Sequence, residues 1–311
     1  MARILYLAHD TPTPSGGVRT IYRHVSILRK HGLDAFVVHA EPGYRYPFAT
    51  SDAPVLAQRP GLALRRDDVL VVPENFPLEN LPQVPGLRCV VFLQSWSLAF
   101  QGLSDPLAWE RLPVRRALCA SELLLEFAKD FLGLSEARLA PDAVDPLFHP
   151  RPKKLRIACM PRRMPEVAAL IRDLFRLRHP LLRHVPWLEI DGVSEEEAAA
   201  LLGESALFLC LGRLEGLGLP GLEALASGCL VTGFHGLGGR EYARPDNGLW
   251  CGQEDVPDCV RKLGEAVDIL QRDDPRAGAM IEAGIRTAAA YTPERQEREL
   301  AAIWDSWLRD N

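Results

Sequence analysis

The stretch "RLEGLGLPGLEALASG", Arg213–Gly228, decides the fold. Its end has the leucines and alanines of a buried helix, whereas Gly216, Gly218, Pro220 and Gly221 interrupt its beginning. The apolar run "ALFLCL" (206–211) reads as a strand directly before it, so the glycines form a turn that opens a helix near Pro220. A helix start preceded by glycines offers unpaired backbone N–H groups to an anion. Glu215 and Glu223 flank this turn with seven residues between them. Two readings stand at this point. Either Glu215 ends a strand and Glu223 lies on a solvated helix face, or both carboxylates are aimed at the hydroxyls of a ligand.

Working outward, short apolar runs alternate with helical patterns along the whole chain. "RILYLA" (3–8), "AFVVHA" (35–40), "VLVVP" (69–73), "CVVFLQ" (89–94) and "ALCAS" (117–121) read as strands. Val18, Ile21, Tyr22, Val25 and Leu28 recur at helical spacing until Gly32, and Ser121 caps "ELLLEFAKDFLG", which ends at Gly133. Continuous rather than alternating apolar strands, interleaved with helices, predict parallel sheets covered on both faces. The proline-rich segment 140–154 has no helical period and reads as an interdomain connection, after which the pattern restarts with "RIACM" (156–160). Pro165 opens a helix with Val167, Leu170, Ile171, Leu174 and Phe175 on one face, and Ser194 with Glu197 forms a capping box. "WLEID" (187–191) and "CLVTGF" (229–234) are further strands, and the last 50 or so residues read as mainly helical.

With 311 residues, 47% hydrophobic and 25% charged, the chain suits two globular domains, each with its own core. The start, "MARILYLAHD", lacks a signal-peptide pattern and no run suffices to span a bilayer, so the expected compartment is the cytosol. The seven cysteines form no CxxC pair and are odd in number, which fits buried reduced thiols rather than a zinc site or a disulfide framework. A formal charge of −5 argues against a nucleic-acid partner. One local exception is "RPKKLRIACMPRR" (151–163), with six basic residues and no acid. Lys153 and Lys154 precede its strand and are expected in solvent, whereas Arg162 and Arg163 follow the strand's carboxyl end, where open α/β sheets bind ligands.

Carboxylates accept hydrogen bonds from paired hydroxyls and helix N-termini hold phosphate, so the 213–228 stretch is chemically able to meet both halves of a sugar nucleotide. E-x7-E with "GLGLP" inside and "EALASG" at its end resembles the signature of the retaining family 4 glycosyltransferases of GT-B fold. "GCLVTGFHGLGGREYARPDNGLW" (228–250) resembles the strand, glycine loop and turn that follow in that family. "PDAVDPLFHP" (141–150) is similar to its interdomain linker, "MPRR" sits where it places a phosphate-binding arginine, and "SGGV" matches the glycine loop after the first strand. The similarity spans most of the chain, with its parts in the family's order.

The resemblance implies two Rossmann-like, doubly wound α/β domains facing a cleft: residues 1–150 on the acceptor side and 151–311 binding the donor nucleotide. It gives Glu215 to hydroxyls of the donor sugar, Glu223 to the ribose, and Arg162 or Arg163 to the diphosphate. Gly16 and Gly17 would line the phosphates, and Gly216, Leu217, Gly218 and Leu219 the donor. Gly238 and Gly239 would border the cleft, with Glu241 just past them a local structural carboxylate. His9, at the carboxyl end of the first strand, is a candidate for the cleft, against the alternative of a turn histidine bonded to backbone. Two departures stand out. "MPRRMPEV" (160–167) lacks the lysine that usually follows the arginine, and Gln94 occupies the position where many members carry a histidine.

What the resemblance implies for function is transfer of a sugar from a nucleotide-sugar donor to a glycan, lipid-linked or small-molecule acceptor with retention of configuration, as in polysaccharide biosynthesis. It implies no cofactor and no metal, the nucleotide-sugar being a substrate. Peripheral association with the inner face of a membrane and the oligomeric state stay open. The two departures also leave room for a non-catalytic GT-B subunit that binds glycan or supports a partner enzyme. A GT-B epimerase fits less well, because its cleft relies on several acid/base side chains. Finally, "PERQERELAAIWDSWLRD" (293–310) puts Leu300, Ile303, Trp304, Trp307 and Leu308 on one helical face. In the family the final helix, here 294–310, crosses back onto the first domain; a dimer interface is the other outlet for such a stripe.

Overall fold

Strand β1 (Arg3–Leu7) pairs in parallel with β2 (Asp34–His39) on one side and β4 (Val69–Pro73) on the other, so the order of the first sheet reverses beside it. With β3 (Val55–Ala57), β5 (Arg88–Leu93), β6 (Arg116–Cys119) and β7 (Glu136–Leu139) it forms a seven-stranded sheet of order β3-β2-β1-β4-β5-β6-β7, every pair parallel. This is a computed structural model, and it describes residues 2–309 except 50, 82–84 and 86. The chain divides into two compact units, residues 1–142 with 294–311, and residues 143–293.

Every residue of β4 is buried, as a strand covered on both faces requires. Helix α1 (Gly16–Lys30) begins with the two glycines that the sequence places in the preceding turn, because the Ser15 hydroxyl accepts the Val18 N–H and so caps the helix there. Helix α2 (Glu122–Asp130) is capped in the same way by Ser121 and stops short of Gly133, whose φ of +66° supplies the turn. The edge strands β3 and β7 escape a reading by periodicity: both are short and only partly covered.

The second unit carries β8 (Lys154–Cys159), α3 (Pro165–Arg178), β9 (Trp187–Glu189), α4 (Glu195–Gly203), β10 (Ser205–Gly212), α5 (Leu219–Ala226), β11 (Leu230–His235) and β12 (Leu249–Trp250). Helices α6 (Val256–Gln271) and α7 (Pro275–Ala288) complete it. Its five-stranded parallel sheet has the order β12-β11-β10-β8-β9, reversing between β8 and β10. The segment from Ala143 belongs to this unit, with Val144 and Phe148 buried in its core.

Two expectations need correction here. Leu170 is 48% exposed, since α3 packs through Ala168, Ile171 and Phe175 and Leu170 lies off that stripe. Lys153 is exposed as expected, but its amine is not left to water: it donates to the carbonyls of Ser205 at 3.0 Å and Ser227 at 2.6 Å. Lys154 is exposed and paired with Glu204. All seven cysteines are free thiols, six of them buried.

Helix α8 (Pro293–Arg309) packs into the first unit, where Leu300, Ile303, Trp304 and Trp307 join the core of the seven-stranded sheet. The Trp304 Nε1 donates to the Tyr6 hydroxyl at 3.3 Å, and Gln296 Nε2 donates to the Pro141 carbonyl at 2.9 Å. Residue 310, in the sequence reading the last of this helix, lies outside the described residues.

Candidate functional site

In the second sheet the strand order reverses between β8 and β10, and ligands of open α/β sheets sit outside the carboxyl ends of strands at such a point. A single 3₁₀ turn, Pro161–Arg163, leaves β8 there, and the loop 213–218 leaves β10. The two meet: Arg163 Nη1 lies 3.7 Å from Glu215 Oε1. The guanidinium is 56% exposed and the carboxylate 15%, so the cation remains open to an incoming anion. Arg162 is exposed beside it. Glu215 lies beyond β10, which ends at Gly212, and its Oε2 turns back to accept the Arg213 N–H at 2.5 Å.

Glycines set the shape of this loop. Leu237 N–H donates to the Arg213 carbonyl at 2.8 Å and Gly238 N–H to that of Glu215 at 3.1 Å, laying the 236–239 loop on the 213–218 loop. A Cβ at Gly238 would collide with the Gly216 carbonyl, so the approach needs glycine. Gly218, at φ +84°, is the left-handed cap from which α5 starts, and Pro220 stands in its first turn. The α5 N-terminus lacks a side-chain cap; Pro220 has no N–H and the Gly221 N–H turns back to the Gly218 carbonyl at 3.1 Å, so an anion would meet the remaining first-turn N–H groups. Leu217 is buried in the core and offers only its backbone, while Leu219 is partly covered. Glu223, one turn into α5, is only 6% exposed. A solvated helix face is thereby excluded.

Sequence reasoning missed Tyr242. Its hydroxyl donates to the Gly218 carbonyl at 2.8 Å, and its ring lies against Gly221 and Gly239. Burial raises its pKa well above the ordinary value, reinforced by the Cys210 thiol, Glu215, Tyr291 and Glu223 around it. Burial, with Glu215 nearby, likewise pushes the Cys210 thiol up to about 12 and keeps it neutral. The available signal was the general one that a buried tyrosine needs a partner for its hydroxyl. Glu241 accepts the Tyr291 hydroxyl at 3.2 Å, a local structural contact.

The remaining candidates lie in the first unit. Exposed His9, just past β1, bonds through Nε2 to Asn75 Oδ1 at 3.0 Å and stacks on Phe76 with ring centroids 4.1 Å apart. Its partner is a side chain rather than the backbone of a turn. Gln94 follows β5 and lies against the start of α1, where a Cβ at Gly17 would be 3.1 Å from its Oε1. Gly16 is open, with nothing within 4 Å of a Cβ built there. Glu74, unread in the sequence, directly follows β4, is buried, and accepts the backbone N–H of Gln94. Among the described residues no group of three or more His, Cys, Asp or Glu side chains is placed to hold a metal ion, and no helix is long and apolar enough to cross a membrane.

No protein-family model matches the chain. Over 87 residues, 27% of the chain, it is 36% identical to an α-1,6-glucosyltransferase of Actinobacillus pleuropneumoniae, and it spans about a quarter (26%) of that protein's length. Among solved structures, sucrose-phosphate synthase of Thermosynechococcus elongatus matches with a TM-score of 0.71 at 14% identity, covering all of both chains. The S. aureus protein TarM, in complex with fondaparinux, α-GlcNAc-glycerol and UDP, gives 0.71 at 9% identity over 97% of this chain and 99% of its own. Anabaena HepE in complex with UDP-glucose gives 0.67 at 12% identity, over 98% of this chain and 100% of its own. The two parallel sheets, with their alternating helices, have the GT-B fold.

Proposed function

We propose that the chain is a glycosyltransferase that moves a sugar from a nucleotide-sugar donor to a hydroxyl of a glycan, lipid-linked or small-molecule acceptor, with retention of configuration. The observation that carries the reading is the 3.7 Å approach of Arg163 to Glu215 at the reversal of the second sheet, beside the uncapped start of α5. Support also comes from the 87-residue match to a glucosyltransferase and from fold relatives solved with UDP or UDP-glucose, which make UDP-sugars the first donors to try.

In this reading Glu215 accepts hydroxyls of the donor sugar and Glu223 those of the ribose. Arg162, Arg163 and the α5 N–H groups stabilise charge building on the diphosphate. The acceptor oxygen bonds to the anomeric carbon as the bond from that carbon to phosphate breaks. The departing phosphate oxygen takes the acceptor's proton on the same face of the sugar. Such a route asks the protein for no nucleophile, and no metal is assigned a role. The first unit holds the acceptor.

Calorimetry with UDP, GDP and ADP, followed by transfer assays with the matching sugars, tests this. Glu223→Ala should weaken nucleotide binding by about ten- to a hundred-fold, the loss expected for a charged hydrogen bond, whereas Glu215→Ala should mainly lower turnover. Unchanged nucleotide affinity in Glu223→Ala overturns the assignment. Gln94 supports a second reading, a non-catalytic GT-B subunit, because an amide at the end of β5 cannot carry a proton. Binding of a UDP-sugar without transfer or hydrolysis would favour that reading.

A further inference from the structure

Glu74 stands directly at the carboxyl end of β4, the strand beside which the first sheet reverses, and is 1% exposed. Among the described residues no cation pairs with it. Its Oε1 accepts two successive backbone N–H groups, from Gln94 at 3.0 Å and Ser95 at 2.7 Å. A buried carboxylate is costly unless hydrogen-bonded, so its bonds fix the geometry of whatever donates them. What they fix is the exit of β5, where the Gln94 amide lies against Gly17 in the first turn of α1. The same two loops are fastened twice more: Gly102 is pressed onto the Phe76 carbonyl, and Ser104 binds Glu79 through its N–H at 2.6 Å and its hydroxyl at 2.9 Å. Those contacts already hold the loops together, which leaves the Glu74 bonds to set the local direction of residues 94–95.

We infer that Glu74 is a positioning residue for the transfer reaction: it holds the Gln94–Ser95 peptide so that the Gln94 amide, at the start of α1, orients the acceptor hydroxyl. This rests on the reading above that the first unit receives the acceptor. Burial raises the Glu74 carboxyl to about 7, so its charge changes near neutrality. The titratable group facing it from β6 is the Cys119 thiol, kept neutral by burial at about 12 and itself acted on by Lys129 of α2. Past β1, His9 is engaged with Asn75 and Asp10 with His39. The ionised carboxylate binds the two N–H groups more strongly than the acid does. Acceptor KM should therefore fall as pH rises through about 7.

The test uses the full chain with UDP-glucose, the acceptor that the transfer assays identify, and the variants Glu74→Gln and Glu74→Ala. In the wild type the amide resonances of Gln94 and Ser95 should titrate together with a midpoint near 7, and in Glu74→Gln they should not. Glu74→Gln keeps an acceptor oxygen, so it should retain most of the activity while losing the pH dependence of acceptor KM. Glu74→Ala should raise acceptor KM about ten-fold, leaving UDP affinity and fold unchanged. If the wild type transfers sugar and folded Glu74→Ala keeps the wild-type acceptor KM, the positioning role alone is overturned. Amides that do not titrate overturn it as well. A wild type that binds UDP but transfers no sugar overturns the functional reading, and this role with it.

Discussion

Tyr242 donates its hydroxyl to the carbonyl of Gly218 at 2.8 Å, and that bond holds the left-handed cap from which α5 starts. A Cβ added at Gly221 would run into the same hydroxyl oxygen, whereas the next ring atom, Cζ, would lie 3.2 Å away. The two positions are therefore coupled. Tyr242→Phe should cost about 1 kcal/mol through the lost hydroxyl bond, since the Gly218 carbonyl keeps the Gly221 N–H at 3.1 Å. Gly221→Ala alone should cost about 1–3 kcal/mol by overpacking. The double variant should be less destabilised than the sum, because removing the hydroxyl makes room for the methyl. Urea unfolding of the four proteins measures the coupling, and strict additivity would sink the steric account.

The Arg163–Glu215 pair separates binding from stability. Arg163 is mostly exposed, and a pair of that kind contributes at most about 1 kcal/mol to folding. Arg163→Ala should thus leave the melting temperature nearly unchanged while weakening nucleoside diphosphate binding about ten- to a hundred-fold. Reducing the salt concentration should strengthen binding in the wild type more than in the variant. Equal affinity in both proteins would take the diphosphate away from Arg163.

How much of this was legible in the sequence follows from the range of each interaction. The interior strands announced themselves because burial on both faces makes them continuously apolar, as in "VLVVP", where sequence and structure share both ends. Ser121 and Ser194 marked helix starts because a cap acts within three residues. The glycine turn between β10 and α5 is equally local. By contrast, Glu74 finds its partners 20 and 21 residues on and Tyr242 its partner 24 residues back, so neither pairing has a local signature. Leu170 misleads for another reason: four of its apolar neighbours obey the helical period, but tertiary packing chose a stripe centred on Ala168, Ile171 and Phe175.

Two buried groups in the first unit should tilt its pH–stability curve in opposite directions. His24 is fully buried between Tyr6 and Phe92, neither ring nitrogen has a partner among the described residues, and burial lowers its pKa to about 3. The unfolded chain binds a proton at His24 below about 6.5 while the folded chain does not, so stability is lost as pH falls from there. Glu74 has the reverse sign. Its folded pKa, about 7, exceeds the ordinary 4.5, so the folded chain binds the extra proton and stability is lost as pH rises from about 4.5 to 7. Each effect amounts to at most a few kcal/mol, on the order of 1.4 kcal/mol per pH unit of the window. His24→Phe should flatten the acid side of the curve and Glu74→Gln the neutral side. Denaturation midpoints taken at about pH 5, 6 and 7.5 would show it; identical slopes in all three proteins would refute both assignments.

The last prediction concerns α8. Leu300, Ile303, Trp304 and Trp307 are buried in the core of the first sheet, Trp304 against Tyr6 with ring centroids 6.3 Å apart. Around them Arg116 stacks over the Trp307 ring at 5.5 Å, and Glu297 pairs with Lys30 and His31 at the end of α1. Burying each large apolar side chain is worth about 1.5–3 kcal/mol, so four together are comparable with the whole stability of a typical domain, about 5–15 kcal/mol. Trp304→Ala should cost about 3–5 kcal/mol by itself, through lost contacts and the cavity left beside Tyr6. Deleting residues 296–311 from the full chain should abolish cooperative unfolding of the first unit, while the second, whose cores include no residue of α8, keeps its own transition. Near-UV circular dichroism against temperature reads both events. A truncated chain that retained both transitions at their original midpoints would show that the first sheet does not depend on the helix.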